Sequence, residues 1–275
     1  AVEGASYVIT QLRVGGMNAR REDEYLGRRH GLIGQETTGV GGMAKALRTI
    51  PVVLDLANDM RELSPQALLV NFANPSGLVT QALTKYAPHV PSVGVCNAAI
   101  TTKMRILAGL AEEGPEADPE QVELDTLGLN HLTWHRGLTV DGQDIWPQVM
   151  ASIVRDPSRY DVGKWDVDTL RVLDMIPNYY LEYYYYTAAK IAAQESWPPS
   201  RAEEVMEIEG RLLDTYADEK NDSVPPDLLE RGGAYYSTMA TQLLNAHHND
   251  LGETHVLNIK HDGAIPGWPE DWVLE

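Results

Sequence analysis

The sequence predicts an α/β protein in which part of a doubly wound parallel sheet is followed by an α+β domain. Short apolar runs recur at Ala5–Gln11, Ala67–Phe72 and Val93–Cys96. Segments of helical length and spacing separate them, and short turns join the two kinds. After about residue 110 this alternation gives way to short strands and then to long helices. Strand, helix, strand, helix, strand is how parallel sheets are wound, because each crossover must travel back along the sheet.

The elements follow in order. Tyr7, Val8 and Ile9 make Ala5–Gln11 a buried strand. Val14–Gly42 is a glycine-punctuated connection with one helix from about Arg20 to Arg29. Met43–Leu63 carries helically spaced apolar residues, with Pro51 arguing against one unbroken helix. Ala67–Phe72 is a second strand, ending at Asn74-Pro75; Gly77–Tyr86 is a helix, Val93–Cys96 a third strand, and about Thr101–Glu112 a helix. Residues 1–110 thus read as the second half of a Rossmann-like domain and residues 111–275 as an α+β domain. Within the latter, short strands occupy Val122–Val140 and Gln148–Asp168 reads as a charged loop. Ser200 with Glu203 forms a capping box at the head of a helix. A second helix spans about Arg231–Asn249, and Thr254–Ile259 is a last strand.

Composition removes several function classes. The formal charge of −18 and the pI near 4.8 repel phosphate backbones and anionic lipid, so neither nucleic acid nor membrane is an expected partner. An anionic substrate would have to be held by a few placed arginines. The lone Cys96 excludes an intrachain disulfide, no apolar run reaches the ~20 residues of a membrane span, and AVEGASYVIT lacks the pattern of a secretory signal. A cytoplasmic location is the expectation.

Ligands of parallel sheets gather beyond the carboxyl ends of the strands, where Arg13, Asn74 and Cys96 fall. Cys96 and His131 together suit a borderline divalent metal and leave positions open for substrate oxygens. Taken alone, they could equally be a buried thiol and a core histidine.

The segments LRVGG at 12–16, GLIGQETTGVGG at 31–42, NFANPSG at 71–77, VGVCN at 93–97, GLNHLTWH at 128–135 and IPNYYLEYYYY at 176–186 together resemble family 4 glycoside hydrolases. That resemblance implies a fold of the malate/lactate dehydrogenase type, with residues 1–110 belonging to an NAD-binding domain. It implies NAD and a divalent metal, manganese foremost, as cofactors, and a phosphorylated disaccharide or β-glucoside as substrate. It also implies a redox route in place of the usual paired carboxylates: hydride leaves sugar C3, a base takes the C2 proton, the aglycone is eliminated, water adds and the ketone is reduced. Cys96 and His131 match the metal ligands and Tyr180 the base, whose pKa a nearby cation would have to lower. Arg20 and Arg201 match the holders of the 6-phosphate, Arg201 beside a helix start that could add backbone N–H donors. Asn74 matches a residue that contacts sugar hydroxyls. Asn97, where α-specific members carry Asp, points to 6-phospho-β-glucosidases.

The sequence departs from the family pattern at Ala99, where Pro is usual, and at His261-Asp262. The glycine fingerprint that cradles a dinucleotide pyrophosphate is not found, so the cofactor-binding residues are unknown; the expectation is that this segment and the C-terminal end lie outside the sequence. A homo-oligomer is expected. Two alternatives stay open: a non-catalytic sugar-phosphate-binding remnant, and a family 4 α-glycosidase acting on another sugar.

Overall fold

Residues 2–112, 114 and 117–275 are described by a computed structural model of the chain. Its first part runs β1 (Tyr7–Thr10), α1 (Gly16–Arg29), α2 (Gly39–Leu63), β2 (Leu68–Asn71), α3 (Ser76–Tyr86), β3 (Ser92–Gly94) and α4 (Ala98–Ala111). The three strands form a parallel sheet in the order β1-β2-β3, with Tyr7 opposite Leu68 and Leu69 opposite Ser92. The α/β expectation therefore holds.

Side chains of a strand alternate between faces, and β2 shows both sides in use. Leu69 packs with Val53, Ala57 and Met60 of α2 and Val79 and Leu83 of α3. Leu68, Val70 and Phe72 pack the other way, with Val95 and Leu243. All four β2 residues are buried. Pro51 does not break α2, which is continuous over 25 residues. It lies on the exposed face, beside the exposed Leu47, where water can take the carbonyl that Pro51 leaves unbonded.

The second part runs β4 (Val122–Leu129), β5 (Leu132–Val140), β6 (Gln143–Asp144), α5 (Trp146–Arg155), α6 (Val167–Leu173), β7 (Ile176–Pro177), α7 (Glu182–Tyr185), α8 (Thr187–Ala193), α9 (Arg201–Tyr216), α10 (Asp227–Arg231), α11 (Tyr236–Asn249), β8 (Ile259–Lys260) and β9 (Val273–Leu274). β5 pairs antiparallel with β4, β6 and β7. Leu243 of α11 covers the face of the parallel sheet opposite α2 and α3. No helix among the described residues is long and apolar enough to cross a membrane.

Three expectations are corrected. Gln148–Asp168 is not all loop: α5 buries Trp146, Val149, Met150 and Ile153, an i, i+3, i+4, i+7 stripe that the charges after it obscure. The helix placed at about Arg231–Asn249 begins only at Tyr236, because Gly232 and Gly233 have φ of 89° and 92°, a backbone no right-handed helix passes through; Arg231 is instead the last residue of α10. Thr254–Ile259 is not a strand; Asn258 makes a single antiparallel bridge to Gly94, and Ile259–Lys260 pairs with Val273–Leu274. The residues of α5 join Leu124, Leu138, Tyr160, Leu170 and Ile176 in the largest core cluster.

Ile153→Ala tests α5 as a core element. Ile153 is fully buried, so the truncation is expected to lower unfolding free energy by ~2–5 kcal/mol in urea titrations. A loss under ~0.5 kcal/mol, the scale of a surface substitution, would contradict the packing described.

Candidate functional site

Three backbone devices bring distant segments to the carboxyl edge of the parallel sheet. The first is the end of β3: the chain leaves Gly94 and turns at Val95–Cys96–Asn97 into α4, burying Cys96. The second is the β4–β5 hairpin. Leu129 pairs with Leu132, so Asn130 and His131 form a two-residue connection, with His131 at φ 64°. Left-handed backbone there normally favours glycine, and a histidine held so is the kind of local strain that gathers at functional sites. The third is the turn after β7. Asn178 donates its backbone N–H to the Thr133 carbonyl (2.9 Å) and its side-chain amide to Thr133 Oγ1 (3.1 Å), while its Oδ1 accepts from the N–H of Tyr180 (3.0 Å).

These devices lay the Tyr180 ring flat on His131, with centroids 3.8 Å apart and planes 9° from parallel. Thr37 Oγ1 lies 3.1 Å from His131 Nδ1. With Nδ1–H donating to that hydroxyl, Nε2 presents a lone pair. Burial pushes the His131 pKa down to about 3, against a smaller opposing pull from Glu36, so the imidazole is neutral. Burial pushes the Cys96 thiol up to about 12, and the Glu275 carboxylate adds to this; the N–H of Ala98 and the amide of Asn130 act the other way. Burial first, then Tyr179 and Cys96, raise the Tyr180 phenol well above its ordinary value. A base at Tyr180 needs a lowered pKa, as the resemblance implies; burial instead sets both the phenol and the Cys96 thiol in the protonated direction.

Beside this trio sits a charge cluster that sequence reasoning missed. Glu36 Oε2 accepts from Arg13 Nη1 (2.6 Å) and Lys45 Nζ (2.7 Å), and its Oε1 lies 3.3 Å from Arg20 Nε. Burial alone would raise the Glu36 carboxyl, but Lys45, Arg20 and Arg13 together hold it down at about 2. The only sequence signal was an acid, Glu36, inside a glycine-rich connection flanked by cations.

The other predicted residues are placed less centrally. Arg20 pairs with Glu24 (3.0 Å) as well as Glu36, and its side chain is 12% exposed. Asn74 sits beyond β2, its Oδ1 accepting from the N–H of Ser76 (3.3 Å). Asn97 turns its amide to the carbonyl of Ala234 (3.0 Å). Arg201 is exposed and donates to Glu204 (3.0 Å) and the Glu230 carbonyl (2.7 Å). At the start of α9, the backbone N–H of Ala202 donates to Glu24 Oε2 (2.8 Å) and the capping box joins Ser200 and Glu203. Those donors, which the sequence reading offered to a phosphate, already have partners. The structure thus unites Cys96, His131 and Tyr180, sets Arg20 in the adjoining charge cluster, and turns Arg201 and Asn97 to other contacts.

A cavity of about 600 Å3 is lined by Thr37 and Asn130, the hydrogen-bond partner and the chain neighbour of His131, and by Met43, Leu78, Tyr184 and Trp272 among others. A second, of about 100 Å3, lies among Val95, Lys103, Leu243 and His255, and Cys96, His131 and Tyr180 line neither cavity. Among the described residues no group of three His, Cys, Asp or Glu side chains could hold a metal ion. Cys96 and His131 are a thiol and a neutral imidazole, a donor pair of the type that could take a borderline divalent cation, and Tyr180 stacks on the imidazole.

Residues 1–112 match the sequence profile described as "Family 4 glycosyl hydrolase", and residues 126–275 that of the "Family 4 glycosyl hydrolase C-terminal domain". The chain is 37% identical over its whole length to a 6-phospho-beta-glucosidase of Thermotoga maritima, covering 64% of that protein. It is 35% identical, again over its whole length, to the 6-phospho-beta-glucosidase of Escherichia coli, covering 62% of it. A solved structure of the Thermotoga maritima 6-phospho-beta glucosidase, with manganese, NAD+ and glucose-6-phosphate, superposes with a TM-score of 0.87 at 34% identity, over all of this chain and 64% of that one. The chain therefore spans a little under two thirds of these relatives.

The Glu36 cluster predicts an acid sensitivity. A carboxyl whose folded pKa is depressed adds stability above its unfolded value, near 4.5, and loses it as pH falls through the folded value of about 2. Glu36→Gln leaves three cations without their shared counterion, and is expected to cost ~3–5 kcal/mol at neutral pH. The gap in melting temperature between wild type and variant should then narrow from pH 5 towards pH 2. A gap that stays constant over that range would show that the carboxylate does not organise the cluster.

Proposed function

The chain belongs to family 4 of the glycosyl hydrolases, and on that premise we propose that it forms the sugar-binding and catalytic part of a 6-phospho-β-glucosidase that uses NAD and a divalent metal, manganese foremost. The observation that carries this reading is the stack of Tyr180 on His131 at 3.8 Å, beside the buried Cys96. It is supported by the relatives named 6-phospho-beta-glucosidase and by the manganese, NAD+ and glucose-6-phosphate of the Thermotoga maritima structure. When bound, the cation would supply positive charge opposite the sugar C2 and C3 oxygens, and NAD a hydride acceptor at C3. None of the described residues carries the dinucleotide fingerprint, and none is assigned to NAD.

The chain's own residues have separable tasks. Cys96 and His131 would hold the cation, His131 through the ring nitrogen that Thr37 leaves free. Burial excludes water from both, which strengthens every charge interaction at the site. Tyr180 Oη takes the C2 proton. Because burial and its neighbours favour the neutral phenol, that proton transfer depends on positive charge brought close to the ring. Arg20 takes the 6-phosphate by exchanging part of its pairing with Glu24 and Glu36 for the ligand. Arg201 does the same by leaving Glu204 and Glu230. Asn74 meets the sugar hydroxyls. Asn97, an amide whose N–H is not acidic, cannot act as the general acid that an Asp in its place could be.

In the full-length protein, cleavage of p-nitrophenyl 6-phospho-β-glucoside is expected to require both added Mn2+ and NAD. Tyr180→Phe keeps the ring on His131, and should leave the melting temperature unchanged while lowering kcat by ~10²-fold or more, the usual scale for a positioned base. Full turnover without metal or dinucleotide, or wild-type kcat in the phenylalanine variant, would overturn the reading.

A further inference from the structure

The turns that carry Cys96 and His131 come from different sheets, yet both are fastened to one short C-terminal stretch. Asn258 exchanges two backbone hydrogen bonds with Gly94, two residues before Cys96 (2.9 and 2.8 Å). Glu275 exchanges two with Gly128, three residues before His131 (3.1 and 2.9 Å). The two anchors are joined by their side chains. Glu275 Oε2 accepts from Asn258 Nδ2 at 3.0 Å and from Asn130 Nδ2 at 2.7 Å. Asn258 is 1% exposed and Glu275 9%. Packing around Asn258 is tight: a Cβ on Gly94 would come within 3.0 Å of its Cβ, and one on Gly77 within 3.4 Å of its Oδ1.

A single carboxylate oxygen therefore ties the β3 end to the β4–β5 turn. A buried carboxylate is costly unless its bonds hold something in place, and the position of Asn130 indicates what this one holds. Asn130 immediately precedes His131, and the two residues are the whole connection between β4 and β5, so a bond that fixes the Asn130 side chain fixes the turn that carries the imidazole.

We propose that Glu275 is a positioning residue for the Cys96 and His131 pair: by fixing Asn130 it sets the approach of the sulfur and the imidazole to one another, and so the affinity for a divalent cation. This rests on the reading of Cys96 and His131 as metal ligands. Outer groups that orient metal ligands are worth ~10–100-fold in affinity when removed, which sets the size of the expected effect.

The test is calorimetric titration of the full-length protein with Mn2+, paired with the near-ultraviolet thiolate-to-metal absorption of its Co2+ form. Glu275→Ala should weaken Mn2+ binding 10–100-fold and shift or broaden the Co2+ band. Glu275→Gln keeps an oxygen where Asn130 and Asn258 donate, and should restore affinity to within about threefold, a rescue that a charge effect would not give. Asn130→Ala, which leaves Glu275 in place, should reproduce the loss and not add to it in the double variant, and it stands in for Glu275→Ala if that variant fails to fold. Wild-type affinity in both alanine variants, with Cys96→Ala abolishing binding, would overturn the role of Glu275 and keep the metal reading. Unchanged binding in Cys96→Ala would overturn the metal reading itself.

Discussion

The carboxyl edge of the parallel sheet depends on one buried carboxylate. Three cations from three segments converge on Glu36: Arg13 beyond β1, Arg20 on α1 and Lys45 on α2. Like charges brought this close in a half-dry setting would push those segments apart, and the shared counterion is what allows them to pack. The next residue, Thr37, holds His131 by Nδ1, and His131 supports the Tyr180 ring. The route from charge pairing to chemistry is thus four residues long: the ion cluster fixes a loop, the loop fixes an imidazole, and the imidazole fixes the phenol.

Burial then works on the trio in one direction. It keeps the imidazole neutral, as a metal ligand needs, and it keeps thiol and phenol protonated, as a ligand and a base do not. In the function proposed, thiol and phenol would ionise only where positive charge compensates, which would couple their protonation states to the binding of a cation.

The fold was legible in the sequence wherever one physical signal acted alone. The apolar runs around Val8, Leu69 and Val93 marked the three parallel strands, and Ser200 with Glu203 marked the start of α9. It was less legible where signals overlapped. In α5 the apolar stripe is only four residues long and is followed by charge, and a glycine pair delays α11 to Tyr236 in a stretch that looks helical from Arg231. The site divides in the same way. Cys96, His131 and Tyr180 stand in distinctive local text, and they do meet. Glu36, Thr37, Asn130 and Glu275 act through partners 9 to 145 positions away, and no local pattern announces such pairings.

The central claim is that Cys96 and His131 together hold a divalent cation beside Tyr180. Its most direct test is the anomalous scattering of manganese in crystals of the full-length protein grown with Mn2+. The account predicts a single strong peak within ligand distance of both Cys96 Sγ and His131 Nε2, on the face of the imidazole edge nearest the Tyr180 hydroxyl. A peak bound by carboxylates elsewhere, with the Cys96 and His131 side chains uninvolved, would contradict it.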